Sequence, residues 1–488
     1  MVRLNLIFTG QLGDGFIAFC QSQGNFCLKR SAVITPFVLP DLSPESVIVA
    51  GDKSTLIMRP VLREYYNYHF LTVLHCRWTI EHNNVFILQC FLKVCSDIRH
   101  TGIVKMFLDL ILLASVISLC FYIWVVVKVW KLRNVPILTD PQDRISSKDK
   151  VTVVIAARNE AESVSKCLTS ILTQERVKEI IFVDDHSTDK TLELAKKVAD
   201  DSGRVRILSA PSVPDGWTGK THALNYGARD ITTEYILFTD ADVLISPGTI
   251  DAAINYMDKE RLDHLSGNFY IHCISASESI CAPVLAASSA IALFNAAKNQ
   301  GAATGAFNMI RTDFYHRIDG HKQIKDAIVD DVCLARLAKS SGGRSAFVNL
   351  ADRAIVRLFC GIGGFLGLIT RSSQSYLGEK RTLPLIGGLA IGAIGFFTLL
   401  VPFLILALYL RGEASYNYIM TLCVLAGVDY FLGLASCLGV RRFHDGNVLY
   451  VFIYPLPLSL LGFSACYSSI RKLMGLKIRW RGRKYKAA

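Results

Sequence analysis

Between Phe107 and Val127 the chain reads FLDLILLASVISLCFYIWVVV, and its one charged residue, Asp109, stands near the start. A helix of this length reaches across a hydrocarbon core of about 30 Å. No polar face interrupts the run, so a helix half-covered by a soluble core fits it poorly. The feature therefore dictates a membrane anchor, expected over residues 106–130. Lys128, Lys131 and Arg133 follow it, and basic residues collect on cytoplasmic flanks. Whatever comes next is expected in the cytoplasm.

Apolar stretches return near the end of the chain. Leu383–Leu410 has no charge, Tyr418–Val440 only Asp429, and Val448–Ile470 none, although Pro455 and Pro457 interrupt it. Residues 383–470 are expected to be transmembrane helices. Before them, within 353–382, AIVRLFCGIGGFLGLITR is apolar, glycine-rich and bounded by arginine, which suits a segment lying in the interface plane. The tail, 471–488, carries eight Lys or Arg and no acid. It suits an anionic cytoplasmic surface. Three spans after a cytoplasmic domain would strand that tail outside. The tail's charge outweighs the span count, so either the Pro455–Pro457 segment is re-entrant, or one candidate does not cross, or the glycine-rich segment does cross.

Hydrophobic residues make up 51% of the chain and the mean hydropathy is +0.34. That is apolar for a soluble enzyme and mild for a channel, so a soluble domain joined to a few spans fits best. The excess of 53 Lys and Arg over 41 Asp and Glu follows from membrane flanks and calls for no nucleic acid. Fourteen cysteines show no CxxC spacing, which speaks against a zinc site. Residues 1–105 show no clean period and no secretory signal pattern. They are expected to be an N-terminal extension that is not native, with the natural start at Met106.

Residues 150–352 read as a soluble α/β domain. VTVVIAA (151–157), EIIFVDD (179–185), RVRILSA and YILFTDAD (235–242) are strand-like and alternate with helical stretches such as AESVSKCLTSILTQ and TLELAKKVADD. That alternation predicts a largely parallel sheet covered on both faces. Ligands bind such sheets beyond the carboxyl ends of the strands, and there the polar residues gather: Arg158, Asn159 and Glu160; Asp184 and Asp185; Asp240 and Asp242.

In FTDAD, Asp240 and Asp242 are placed at a strand end, where alternate residues share a face. Two carboxylates on one face repel unless a cation lies between them. Mg²⁺ or Mn²⁺, completed by phosphate oxygens, would resolve the repulsion. A solvated turn or a helix cap is the blander account. In VDDHSTDKT, Asp184 and Asp185 can accept hydrogen bonds from a base or ribose, while Ser187, Thr188 and Asp189 are expected to cap the next helix. Neither GxGxxG nor GxxxxGKS occurs, which counts against dinucleotide oxidoreductases and P-loop kinases.

ARNEAESVSKCLTSIL, IIFVDDHSTDKT, GWTGKTHALNYG, YILFTDAD and GHKQIKDAIVDDVCLARLAKSSG stand in the order found in family 2 glycosyltransferases. The chain resembles their membrane-bound branch, which includes hopanoid- and carotenoid-associated enzymes, over roughly residues 106–488. The resemblance implies a GT-A type, Rossmann-like nucleotide-sugar domain with transmembrane helices on both sides. It implies that Glu160, Asp184, Asp185, Lys220 and Asp240 bind the donor, that Asp242 and Asp240 hold Mg²⁺ or Mn²⁺, and that Asp331 is the general base of an inverting transfer. Acids at Asp330 and Asp331 also suit the first turn of a helix. Gly305, Ala306, Phe307 and Asn308 match an acceptor-side segment, and Gly320 and His321 a turn beside it, His321 being the residue type more often structural. The implied partners are a nucleoside diphosphate sugar, with uridine the usual base, and a lipid acceptor. The implied place is a cell inner membrane, with several spans and the transferase domain facing the cytoplasm. Processive members carry QxxRW after the base. Here Arg371 and Gln374 are followed by Leu377 and Gly378, which favours transfer of one sugar over a polysaccharide synthase. An inactive membrane scaffold is opposed by the intact acids and Lys220.

Overall fold

The structure is a computed structural model. It describes residues 105–140, 151–373, 384–412, 414–476 and 483 in full, and the backbone of several further elements. Two compact units divide the chain, residues 1–102 and 103–488. In the first, β1 (Asn5–Leu12) pairs antiparallel with β2 (Gly15–Gln21), and β3 (Val47–Ala50), β4 (Thr55–Pro60) and β5 (Cys76–Arg77) form a small antiparallel sheet. The other expectations for residues 1–104, for the side chains of Gln374, Leu377 and Gly378, and for most of the tail lie outside the described residues.

The helix α1 (Asn83–Lys131) contains the apolar run. Asn349 N–H then donates to Pro136 O at 2.8 Å, tying the segment after the helix to the domain that follows. There β6 (Val151–Ala157), α2 (Val164–Leu172), β7 (Val177–Asp184), α3 (Thr191–Ser202), β8 (Val205–Ser209), α4 (Gly219–Gly227) and β9 (Tyr235–Phe238) alternate as the sequence predicts. Val151, Val153, Val154 and Ile155 are wholly buried. Alternate residues point to opposite faces, so a strand without a polar face must be covered by helices on both. On one side Val164, Cys167, Leu168 and Ile171 of α2 pack on it. These recur at helical spacing, and burying such a side chain contributes about 1.5–3 kcal/mol. On the other side lie Ala223 and Leu224 of α4.

The second half is β10 (Val243–Ile245), α5 (Thr249–Glu260), β11 (His264–Gly267), β12 (Tyr270–Ile271), α6 (Ala276–Asn299), β13 (Asn308–Arg311), α7 (Thr312–Arg317), α8 (Gly320–Gln323), α9 (Asp330–Ser340), β14 (Ser345–Val348) and β15 (Ala354–Val356). Seven strands make the main sheet, in the order β14-β11-β13-β9-β6-β7-β8. It is largely parallel, as expected, with one reversal: β13 runs antiparallel to both of its neighbours. That reversal matters, because it brings the start of β13 to the edge where β6, β7 and β9 end. A smaller sheet, β10-β15-β12, stands beside it. Residues 354–356 are thus a strand paired with 243–245, so the segment expected at the interface is part of the domain until α10 (Gly361–Tyr376) begins.

The helices α11 (Leu383–Arg411) and α12 (Tyr416–Gly439) match two expected spans. The third expected stretch, 448–470, is not one continuous helix. Residues 448–453 form a 3-10 turn, and α13 (Pro455–Leu473) starts afresh with proline in its first turn, where the missing N–H costs nothing. Leu458, Leu461, Ala465 and Cys466 of α13 are buried, packed against α10 and α11. Among the described residues, four helices are long and apolar enough to cross a membrane: 105–134, 276–299, 384–411 and 416–443. The second is α6, which the sequence reading passed over. The protein buries 56% of its apolar window, against 22–28% for the other three, so its partner is largely protein. Were α1, α11 and α12 alone to cross, the tail would return to the side of the sheet. The backbone of β16 (Ile478–Trp480) pairs with β17 (Arg483–Tyr485), and Arg483 reaches the sheet domain.

Candidate active site

The loops after β6 and β7 are locked together before any ligand enters. Asn159 and His186 adopt positive φ, +57° and +58°, a conformation that Asn and His tolerate better than most residues. From there the Asn159 carboxamide accepts the Thr188 N–H at 2.8 Å, and the Asn159 N–H donates to Ser187 Oγ at 3.1 Å. Asp189 accepts from the Thr191 N–H at 3.0 Å and the Ala161 N–H at 3.2 Å. Asp189 thus does the expected capping work at the start of α3, whereas Ser187 and Thr188 bind the neighbouring loop instead. Arg158 Nη1 donates to the Asp185 carbonyl at 2.7 Å.

Beyond these ends lies a cleft of about 1060 Å³, lined among others by Glu160, Asp185, Lys220, Asp240, Asp242 and Asp331. Gly305, Ala306 and Asp330 also face it. The sequence placed Asp240 and Asp242 on one strand face. Instead β9 ends at Phe238 and the two acids stand in the turn before β10. A turn frees them from the alternation of a strand, and both still reach the cleft.

Lys220 organises the centre. Its Nζ lies 2.7 Å from Asp240 Oδ1 and 3.0 Å from Asp330 Oδ1. Burial disfavours its charge, but Asp240, Asp330 and Asp331 outweigh that and raise its pKa above the ordinary lysine value. It stays cationic. Asp331 behaves in the opposite way. Burial, then the Asp330 charge, push its carboxyl to about 7, with Lys220 pulling downward. Its Oδ1 accepts the Val332 N–H at 2.9 Å, and Asn308 Nδ2 donates to its carbonyl at 3.4 Å. Asn308 is in turn held by His264, at 2.6 Å from Nε2 to Oδ1.

Gly305 shows how tightly the second segment meets the first. The Asp240 N–H donates to Gly305 O at 2.8 Å, and a Cβ on Gly305 would overlap the Asp240 carboxylate. Gly305→Ala should therefore displace Asp240 and cut turnover by about tenfold or more, with little change in thermal midpoint because only a cleft wall moves. Turnover and melting of the purified variant check this; near-normal turnover would refute the close approach.

Three expected site residues lie elsewhere. Asp184 is buried and its carboxylate accepts the Ser187 N–H, at 3.2 Å to Oδ2, shaping the loop rather than lining the cleft. Phe307 is wholly buried in the core under the sheet. His321 is 1% exposed, bonded through Nδ1 to the Tyr315 hydroxyl at 2.9 Å and set against Phe238. Burial, with Lys220 adding to it, holds it neutral down to about 3. In these segments the sequence marks the right loop, while strand and turn geometry decides which side chain faces outward.

The cleft also takes residues that sequence reasoning missed. Lys166, Arg357, Arg371, Tyr467, Arg471 and Arg483 all line it. Arg483 Nη1 and Nη2 stand 2.5 and 3.0 Å from Asp185 Oδ2 and Oδ1. The spacing of eight basic residues in the tail does not single it out. Among the described residues no three His, Cys, Asp or Glu side chains are grouped to hold a metal by themselves. Asp240 and Asp242 offer the hard oxygen donors that suit Mg²⁺ or Mn²⁺ completed by phosphates, so the residues fit such an ion.

Residues 152–317 match the family described as Glycosyl transferase family 2. The chain is 24% identical over 203 residues to 4,4'-diaponeurosporenoate glycosyltransferase of Staphylococcus haemolyticus, covering 38% of this chain and 50% of that protein. It is 27% identical over 132 residues to cholesterol galactosyltransferase of Borreliella burgdorferi, covering 27% and 36%. The chain thus spans half or less of the length of these curated relatives. Among solved structures, the mannosyltransferase PcManGT from Pyrobaculum calidifontis, in complex with GDP-Man and Mn²⁺, aligns over 67% of this chain and 98% of its own at 17% identity, with a TM-score of 0.43. Residues 152–317, which supply most of this acidic cleft, are thus the part of the chain that matches Glycosyl transferase family 2.

Proposed function

We propose that the protein transfers one sugar from a nucleoside diphosphate sugar to a lipid or other amphipathic acceptor at the membrane surface, with inversion at the anomeric carbon. The observation that carries this reading is the shared cleft: Asp331, raised to about 7, faces the same space as Asp240, Asp242 and Lys220. A base poised near neutrality is suited to take a hydroxyl proton. The cleft continues along an apolar wall that includes Phe269, Leu285, Leu293, Phe359 and Leu368, next to the helices that carry the exposed apolar surface. An acceptor with a greasy body and a hydroxyl head fits that path.

In the proposed step the acceptor oxygen bonds to the anomeric carbon as its proton passes to the Asp331 carboxylate. The bond from that carbon to the diphosphate breaks, and the nucleoside diphosphate departs with the electron pair. Asp185 and Glu160 orient the nucleoside end, while Lys220 holds Asp240 and Asp330 in place beside the phosphates. A divalent cation held by Asp242 and Asp240 would offset the charge of the departing diphosphate. One displacement gives one inversion. The basic flank after α1 supports a domain facing the cytoplasm, on the inner face of a cell membrane.

The test offers UDP- and GDP-sugars to purified protein in detergent, with Mn²⁺ or Mg²⁺ and a membrane lipid extract. Metal-dependent release of nucleoside diphosphate and one new glycolipid are expected. Asp242→Ala should lose at least about a hundredfold of that turnover. A ladder of long products would replace the reading with a polysaccharide synthase, and inactivity of wild type and variant alike would replace it with a scaffold.

A further inference from the structure

The last strand of the chain contributes to the cleft from nearly 300 positions downstream. Arg483 begins β17, and its guanidinium meets both oxygens of Asp185, at 2.5 and 3.0 Å. Asp185 is 7% exposed at its side chain and Arg483 25%. A two-pronged contact between a guanidinium and a carboxylate this sheltered is strong and fixes geometry as well as charge. The backbone around it makes room. Gly219 opens α4 beside the pair, and a Cβ there would overlap both Arg483 Nη1 and the Asp185 carboxylate. The next residue is Lys220, which reaches the Asp240 end of the cleft. Arg483 therefore stands between the nucleoside end and the phosphate end of the expected donor path.

We propose that Arg483 is a donor-positioning residue: the C-terminal hairpin completes the nucleoside diphosphate site by holding and neutralising Asp185. The inference rests on the donor reading given above. Its physical reason is charge. A nucleoside diphosphate is an anion, and a bare Asp185 carboxylate at the cleft wall would repel it. With Arg483 engaged, Asp185 keeps lone pairs for ribose or base while its net charge is cancelled. The tail is then part of the enzyme's donor pocket rather than only a membrane-facing basic segment.

The experiment measures the Kd of UDP and GDP with Mn²⁺ by calorimetry on the full-length protein in detergent, together with donor KM and kcat. Arg483→Ala should raise the donor Kd and KM by about tenfold to a hundredfold, the loss of one charged hydrogen-bonding partner, with a smaller change in kcat at saturating donor. Arg483→Lys should recover part of the affinity, since an ammonium keeps the charge but lacks the fork. In an Asp185→Asn background the effect of Arg483→Ala should shrink, because the charge to be neutralised is gone. Lys196→Ala, which removes an exposed positive charge on α3, controls for net charge and should leave Kd unchanged. Arg483→Gln replaces the alanine variant should that one fail to fold. Unchanged affinity, or tighter binding as expected of a plug, overturns the proposal while leaving the donor reading intact. If wild type binds neither nucleotide, both fall together.

Discussion

Asp331→Asn should lower kcat by about 10²- to 10⁴-fold, the range a positioned proton acceptor supplies, and should leave nucleoside diphosphate affinity nearly unchanged. Asn has the same shape and cannot accept the proton. The wild-type pH profile carries the same claim. Burial and the Asp330 charge put the Asp331 carboxyl at about 7, and only its ionised form is a base. kcat/KM should therefore fall as pH drops through about 7 and level off above it. Stability should move in the opposite sense. The folded-state value lies above that of an unfolded aspartate, so from roughly pH 4 to 7 the unfolded chain is ionised while the native chain holds the proton, and stability declines as pH rises through that window. Above it the full penalty is present. Asp331→Asn removes the penalty, so at pH 8 the variant should melt higher than wild type while transferring almost nothing. Turnover and thermal melting of the same preparations decide the matter. A variant both active and less stable would remove Asp331 from the role of base.

Much of this arrangement was legible in the sequence, for identifiable reasons. β6 and β7 announce themselves because a strand covered on both faces needs a near-continuous apolar run, and VTVVIAA can be little else. The carboxylates were found because strand ends in such sheets are where polar residues converge. What failed was finer geometry. Asp184 and Asp185 are adjacent, and the pleat sends neighbours to opposite sides, so a motif naming both could put only Asp185 in the cleft. Phe307 sits in a glycine-rich loop that reads as exposed, yet Ala306 faces the cleft while Phe307 fills the core. The antiparallel course of β13 depends on pairing across some 70 residues of chain, which no local pattern encodes. α6 escaped notice because small residues and serines dilute its hydropathy, although its length and apolarity qualify. Arg483 was hidden in the opposite way, as one basic residue among eight.

Lys220→Ala should damage folding and catalysis together. Lys220 stands between Asp240 and Asp330, with Asp331 beyond. Removing it leaves three acids facing one another across a partly desolvated cleft. Losing one partner of a fully buried ion pair costs about 3–5 kcal/mol. The Asp330 side chain is only 7% exposed, but that of Asp240 is 38% exposed and screened by water, so the lower end, about 3 kcal/mol, is expected. Chemical denaturation in detergent reads that loss. The catalytic consequence follows from the same charge. Lys220 lowers the Asp331 carboxyl against the pull of burial and Asp330, so without it the base holds its proton to higher pH. The acid limb of the kcat/KM profile should move upward from about 7, and activity at neutral pH should fall more than stability alone explains. Asp330→Asn added to Lys220→Ala separates the two roles. It removes the acid left buried without its cation, and with it a charge that raises Asp331, so it should return much of the stability and move the acid limb back down. On the alkaline plateau, where Asp331 is ionised in every variant, it restores no cation beside Asp240 and should return little activity. Recovery of both would make Lys220 a purely structural counter-ion, whereas recovery of stability alone places its charge in the transfer step.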